Sequence, residues 1–194
     1  MATNNEIEFK QLLSKDNYQA IYNTYFLDTK PFSQTNYYID TRNFDLKSHH
    51  SALRIRIKDD TYEMTLKVPA EIGLMEYNFD TMVEPKLNKH IKSQELPQDI
   101  LNQLLKMNVD IDALTVLGAL TTERIEKEIH GNLLVLDKNQ YLDFEDFELE
   151  YEVNDYDEGL IQFKSILHQF NINHEIPDNK VQRFFNRKHK LSNS

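Results

Sequence analysis

Residues 52–58 read Ala-Leu-Arg-Ile-Arg-Ile-Lys, and residues 147–153 read Phe-Glu-Leu-Glu-Tyr-Glu-Val. In both segments apolar and charged residues alternate with a period of two, the pattern of a β-strand whose two faces meet different surroundings. The charged face of the first segment carries only cations, and that of the second carries only carboxylates. Strand-like alternation is found in eight segments, two of which contain these stretches: Glu6–Leu13, Thr35–Asp40, Ala52–Lys58, Tyr62–Val68, Leu74–Asp80, Leu117–Ile129, Leu133–Asp137 and Phe144–Val153.

Helical spacing occurs in three further places. One helix is predicted after a Ser14 cap, one begins at Pro97 as its first helical residue, and one follows an Asp155-x-x-Glu158 capping box. These helices do not alternate regularly with the strands, as they would in a βαβ fold. The pattern therefore favours an α+β domain with an antiparallel sheet.

Composition narrows the class of protein. The chain has 194 residues, close to the length of one domain, and we expect a single domain over 1–194 with a frayed tail over 189–194. Its 22 Lys and Arg against 32 Asp and Glu give a net charge of −10, which argues against a nucleic-acid partner. The absence of Cys excludes disulfides and thiolate sites, and neither a signal peptide nor a long apolar run is present, so we expect a cytoplasmic protein without a membrane partner.

The polar faces of the predicted strands are dense in charge, purely basic on one strand and purely acidic on another. They comprise Glu6, Glu8 and Lys10; Arg54, Arg56 and Lys58; Glu63, Thr65 and Lys67; Arg124, Glu126 and Glu128; and Glu148, Glu150 and Glu152. Such faces are typical of the solvated side of an antiparallel sheet. Alternatively, the sheet closes into a barrel whose charged interior binds a polyanion through its cations and Mg²⁺ or Mn²⁺ through its carboxylates. The pattern by itself leaves both interpretations open.

The segment Glu6-Ile7-Glu8-Phe9-Lys10 resembles the N-terminal Glu-x-Glu-x-Lys signature of the CYTH superfamily, also called triphosphate tunnel metalloenzymes. Further matches follow in the order of the family: Tyr37-Tyr38-Ile39-Asp40-Thr41, Ala52-Leu53-Arg54-Ile55-Arg56, Thr65-Leu66-Lys67, Arg124, Leu136-Asp137, Glu148-Leu149-Glu150 and Asn179-Lys180. The resemblance covers about residues 4–190 and is greatest to the small stand-alone CYTH proteins of Gram-positive bacteria.

The resemblance implies a closed antiparallel barrel of about eight strands, with helices outside and a charged tunnel that binds a triphosphate. It also implies Mg²⁺ or Mn²⁺ as cofactor. Substrate binding then falls to Lys10, Arg54, Arg56, Lys67, Arg124 and Lys180, metal binding to Glu6, Glu8, Asp137, Glu148 and Glu150, and catalysis to Glu8, Glu150 and Lys180. The extra carboxylates Glu145, Asp146 and Glu152 depart from the family pattern. They leave open whether the metal ligands on the last strand are shifted by one position along its acidic face.

The C-terminal segment adds two arginines whose role the resemblance does not assign. Lys180, Arg183 and Arg187 lie on one side of a short predicted helix. We expect Arg183 and Arg187 to form an ordinary exposed basic face.

The function that this resemblance implies is metal-dependent hydrolysis of a triphosphate, with inorganic triphosphate as the first candidate substrate. A class IV-like adenylate cyclase and a thiamine triphosphatase are alternatives within the family. A non-catalytic binder of polyphosphate or of a nucleotide is the alternative from another class. The expected partner is a small molecule that contains a triphosphate, and the oligomeric state is left open, a homodimer included.

Overall fold

The computed structural model describes residues 2–192, with side chains from residue 3 onward. Its eight strands are β1 (Ala2–Leu13), β2 (Phe32–Asp40), β3 (Ala52–Lys58), β4 (Thr61–Pro69), β5 (Leu74–Asp80), β6 (Thr115–Ile129), β7 (Asn132–Tyr141) and β8 (Phe144–Val153). Its α-helices are α1 (Lys15–Tyr25), α2 (Asp45–Ser48), α3 (Gln98–Lys106), α4 (Tyr156–His168) and α5 (Lys180–Ser192). None of the helices in this range is both long and apolar enough to cross a membrane.

The strands close into an antiparallel barrel in the order β1-β5-β4-β3-β2-β6-β7-β8. The predicted fold of about eight strands with helices outside is thus confirmed. Contacts divide the chain into two compact units, one built mainly on Gln34–Leu120 and the other on Glu6–Ser33 together with the chain from Thr121 onward. A single domain over 1–194 stays a prediction.

The first unit buries the apolar faces of β3 and β4 against α3. Leu53 and Ile55 of β3 and Leu66 of β4 share one core with Ile100 and Leu104 of α3. Because side chains alternate along a strand, Arg54 and Arg56 lie on the opposite face from this core, which is the interior face of the barrel strands.

The second unit buries the apolar faces of β7 and β8 against α1 and α4. Leu136 and Leu149 pack with Ile21 of α1 and with Phe163 and Leu167 of α4. The carboxylates of β8 therefore lie on the face away from these helices.

The helix starts follow from local capping. Ser14 accepts a hydrogen bond from the Asn17 amide at 3.1 Å, and Asp155 accepts one from the Glu158 amide at 2.8 Å. Pro97 is the cap of α3 rather than its first residue, because its backbone is still extended (ψ 142°).

The C-terminal helix differs from its prediction. α5 continues to Ser192, so residues 189–192 are helical where a frayed tail is predicted, whereas 193–194 lie outside the described residues. The buried Phe184 and Phe185 anchor the preceding turns and let the helix extend beyond them.

Candidate active site

Two arginines of β3 differ in how their Nε atoms are satisfied in the first unit. Arg54 lies opposite Thr65 of β4, and among residues 3–192 its Nε is the buried side-chain nitrogen that has no hydrogen-bond partner. Arg56 donates from Nε to Asn36 Oδ1 at 3.1 Å. A buried N–H without an acceptor is costly, so the Arg54 guanidinium is suited to an acceptor that the protein itself does not supply.

Lys67 of β4 is paired with a carboxylate that sequence analysis missed. The register places Lys67 opposite Glu76 of β5, and the two form an ion pair of 2.5 Å. Burial alone would raise the pKa of Glu76, but Lys67, with smaller contributions from Arg54 and Asn78, lowers it to about 2. The alternation of β5 contains the signal, since Glu76 lies on the same face as Asn78, but only the register identifies its partner.

The carboxylates Asp137, Glu148 and Glu150 form the most buried acidic group of the second unit. Asp137 and Glu148 have no exposed surface, and Glu150 is 3% exposed. Burial by itself raises a carboxyl pKa, yet nearby cations, Lys180 first among them, outweigh that effect for Glu148 and Glu150 and hold both pKa values below their ordinary range. Glu148 and Glu150 are therefore ionised in the working range of pH.

Two of the neutralising cations come from the barrel strands. Arg124 donates from Nε and one terminal nitrogen to both oxygens of Asp137 at 2.8 and 2.7 Å, and from the same terminal nitrogen to Glu150 at 2.7 Å. Its other terminal nitrogen is 3.7 Å from Glu126, longer than a hydrogen bond. Lys10 lies opposite Glu150 in the β1–β8 register, with Nζ 2.7 Å from Glu8 and 3.8 Å from Glu150.

The other two cations come from α5. Lys180 Nζ lies 2.7 Å from Asp137, 3.0 Å from Glu148 and 2.5 Å from Glu150, so one ammonium contacts the whole carboxylate group. Burial would lower its pKa, but the three carboxylates raise it well above its ordinary value. Lys180 is a permanent cation in this position.

Arg183 is the second α5 cation, and its predicted place on an exposed face is wrong. It is 9% exposed and binds Glu148 and Asp146, because α5 turns the Lys180–Arg183 side toward β8. Arg187 is more exposed, at 31% of its side chain, and pairs with Asp143 at 2.8 Å.

A separate acidic group is formed by two glutamates from the middle of β1 and one near the end of β8. Glu6, Glu8 and Glu152 each place a carboxylate oxygen within 4.8 Å of the others, and among the described side chains these three are the group able to hold a metal ion. Burial and the charges of Glu6, Glu150 and Glu8 raise the pKa of Glu152 to about 7. The predicted ligand set omits Glu152, which the register places opposite Glu8.

The predicted metal set thus separates into two groups. Glu6 and Glu8 lie with Glu152, whereas Asp137, Glu148 and Glu150 lie with Arg124, Lys180 and Arg183. Lys10 lies between the two groups, 2.7 Å from Glu8 and 3.8 Å from Glu150. The donor chemistry of the first group fits Mg²⁺ or Mn²⁺, because three crowded carboxylates with one raised pKa are relieved by a divalent cation.

Asp40 of the matched Asp-Thr pair has a structural role. Its buried carboxylate accepts hydrogen bonds from the amides of Thr41, Leu46 and Lys47 at 2.7, 2.9 and 3.1 Å. It therefore fixes the turn from β2 into α2.

Comparison with known proteins places this arrangement in a family. The model of the CYTH domain matches residues 4–185. The chain belongs to the CYTH family.

Individual CYTH relatives cover nearly the whole chain. It is 40% identical over 187 residues to YjbK of Bacillus subtilis (strain 168), a proposed triphosphatase, with 95% of this chain and 96% of YjbK covered. The crystal structure of a proposed adenylate cyclase from Bacillus halodurans is 31% identical, with a TM-score of 0.83 over 95% of this chain and 100% of that chain.

A more distant solved structure has the same fold. It is a proposed adenylyl cyclase from Hippeastrum with a dominant triphosphatase activity, 23% identical with a TM-score of 0.73, and 93% of this chain and 95% of that chain are covered. CYTH relatives are thus assigned either triphosphatase or cyclase activity, both of which act on a triphosphate.

Proposed function

We propose that this CYTH protein hydrolyses a triphosphate in the presence of Mg²⁺ or Mn²⁺, and that inorganic triphosphate is its substrate. The observation that carries the proposal is the buried Nε of Arg54, which has no acceptor among the described residues. A phosphate oxygen would satisfy it, and a guanidinium binds phosphate with two parallel hydrogen bonds.

The roles that we assign to the other cations depend on how many protein contacts each one makes. Arg56 and Lys67 share the β3–β4 sheet with Arg54 and add charge for an anionic substrate. Arg124 holds Asp137 and Glu150 with one edge, which leaves its second terminal nitrogen without a contact of hydrogen-bond length in the second unit. That nitrogen is the atom of Arg124 we assign to substrate.

The cation-binding group in this proposal is Glu6, Glu8 and Glu152. Their carboxylates are close enough to ligate one ion. A divalent cation bound there would neutralise phosphate oxygens and lower the pKa of a bound water.

Glu150 and Lys180 act electrostatically. The raised pKa of Lys180 prevents it from serving as a base, and the lowered pKa of Glu150 prevents it from serving as an acid. Lys180 provides fixed positive charge for the transferred phosphoryl group, and Glu150 fixes the position of that ammonium.

A class IV-like adenylate cyclase is the second candidate, since the Bacillus halodurans relative is named as a cyclase. Both reactions begin from a bound triphosphate, so the residues above serve either one. The products distinguish them.

The experiment is a product assay with inorganic triphosphate, ATP and thiamine triphosphate, each with Mg²⁺, with Mn²⁺ or with a chelator. We expect cation-dependent phosphate release, fastest from inorganic triphosphate, and loss of that release in Arg54→Ala. Cyclic AMP and pyrophosphate from ATP would support the cyclase instead. Tight binding of triphosphate without any product would refute hydrolysis and favour a binding protein.

A further inference from the structure

The guanidinium of Arg183 has all of its hydrogen-bonding capacity used inside the protein. Nε donates to Asp146 Oδ2 at 2.9 Å, and one terminal nitrogen donates to Asp146 Oδ1 at 3.2 Å and to Glu148 Oε2 at 2.7 Å. The other terminal nitrogen donates to Glu148 Oε1 at 3.4 Å and to the backbone oxygen of Asp178 at 2.7 Å. An arginine has five N–H donors, and each has an acceptor here.

This saturation separates Arg183 from the substrate-binding arginines. Arg54 and Arg124 each retain a nitrogen without a contact of hydrogen-bond length in its own unit. Arg183 would have to break an existing bond to contact a phosphate. It is therefore unsuited to substrate binding despite its charge and its burial.

The groups that Arg183 joins are those that set the position of Lys180. Asp178 precedes α5 by two residues, and Glu148 accepts from both Arg183 and Lys180 at the same oxygen, Oε2. Arg183 thus fixes the start of α5 to β8 and fixes one of the three carboxylates around the Lys180 ammonium.

We infer that Arg183 is a positioning residue, which holds Glu148 and the start of α5 so that the Lys180 ammonium stays among Asp137, Glu148 and Glu150. The catalytic consequence rests on the proposed function, whereas the positioning of Lys180 does not. Lysine cannot replace Arg183, because an ammonium has three donors and no planar fork.

The first experiment observes Lys180 without any substrate. In ¹⁵N-lysine-labelled protein, an ammonium held by three carboxylates exchanges its protons slowly enough to give an NMR signal, which Lys180→Met assigns by its disappearance. We expect the signal to persist in Arg187→Gln and to be lost or broadened in Arg183→Gln and Arg183→Lys. An unchanged signal in folded Arg183→Gln or Arg183→Lys would overturn the inference.

The second experiment is a double-mutant cycle on kcat/KM for the triphosphate. Changes to residues that orient a functional group cost about 10- to 100-fold, and we expect a loss in this range for Arg183→Gln. In the Lys180→Met background the same change should cost less than about 2-fold, because residues that act as a unit are not additive. Equal losses in both backgrounds would indicate a merely structural role and would overturn the catalytic part.

The two experiments separate the proposals. Wild-type protein without any triphosphate hydrolysis would refute the proposed function, while the Lys180 signal would still decide the role of Arg183. Titration with Mn²⁺ provides the fold check. The Arg183 side chain contacts Asp146, Glu148 and the Asp178 backbone rather than Glu6, Glu8 or Glu152, so its variants should bind Mn²⁺ like the wild type.

Discussion

Two glutamates on the same face of β8 should respond oppositely to the same substitution. Glu148→Gln and Glu152→Gln each remove one negative charge while retaining size. Glu148 lies among Lys180 and Arg183, whereas Glu152 lies among Glu6 and Glu8. We therefore expect Glu148→Gln to destabilise the cation-free protein and Glu152→Gln to stabilise it.

The magnitudes follow from these surroundings. Removing one partner from a buried ion pair costs up to about 3–5 kcal/mol, because the remaining charge is left uncompensated. For Glu152, two like charges 4.8 Å apart repel by about 1–3.5 kcal/mol at effective dielectric constants between about 80 and 20. Since Glu152 is partly exposed and solvent screens it, we expect a gain of about 1–3 kcal/mol at pH 8.

The assay is thermal unfolding in the presence of a chelator at pH 8 and at pH 4. A shift of about 2–4 °C per kcal/mol at this chain length predicts a lower Tm for Glu148→Gln, by roughly 6–20 °C, and a higher Tm for Glu152→Gln, by roughly 2–12 °C. The pKa of Glu152 is about 7 in the folded protein and about 4.5 when unfolded, so its destabilising effect develops as pH rises through this window. The gain from Glu152→Gln should therefore be absent at pH 4.

Cation binding provides the second measurement on these variants. Glu152→Gln should weaken Mn²⁺ binding in a calorimetric titration, while Glu148→Gln should change it much less. A destabilised Glu152→Gln variant, or equal losses of Mn²⁺ affinity in both, would refute the separation of the acidic residues into two groups.

Three further predictions concern the first unit and the contact of α4 with β8. Triphosphate at ~100 times its Kd should add about 2.7 kcal/mol to the free energy of unfolding and raise the Tm. Arg54→Ala should lose most of this Tm shift. A full shift in that variant would exclude Arg54 from the binding site. Despite burial, Lys67 lowers the pKa of Glu76 to about 2, so the stabilisation from this pair is present above about pH 4.5 and lost as pH falls toward 2. Glu76→Gln should therefore reduce the loss of unfolding free energy between pH 4.5 and 2, measured by urea titration at each pH. An unchanged loss in this variant would argue against the pair. A Cβ on Gly159 would lie 2.6 Å from the Val153 side chain, so Gly159→Ala should lower the free energy of unfolding by about 1–3 kcal/mol. Adding Val153→Ala to this variant should recover part of that loss, measured by urea unfolding. No recovery would show that the strain does not come from Val153.

The alternation of apolar and charged residues predicted most of the barrel. Ala52–Lys58, Leu74–Asp80 and Phe144–Val153 have the predicted bounds, and the remaining strands extend the predicted segments by a few residues. The interior position of the charged faces could not be predicted from alternation alone, because a solvated sheet shows the same period. The family signature, which begins at Glu6, decided that question.

The sequence pattern could not predict which charged side chains pair with one another. Uniform carboxylates on β8 suggest mutual repulsion, and from sequence alone loss of the Glu148 charge would leave stability level or raise it. The structure supports the opposite prediction, because α5 brings Lys180 and Arg183 to Glu148 from more than 30 positions along the chain. Helical spacing shows that Lys180 and Arg183 share a side of α5, but not that this side is buried.

The sequence by itself determined which side chains share a face, since a period of two is a local property of the backbone. The tertiary structure decided which of them meet. The register between β1 and β8 places Lys10 opposite Glu150 and Glu8 opposite Glu152, and a slip by one residue would move every one of these side chains to the other face. Register and helix docking are set by contacts between distant segments. The division of one acidic strand into carboxylates paired with cations and a carboxylate that lies with Glu6 and Glu8 therefore exists only in the folded chain.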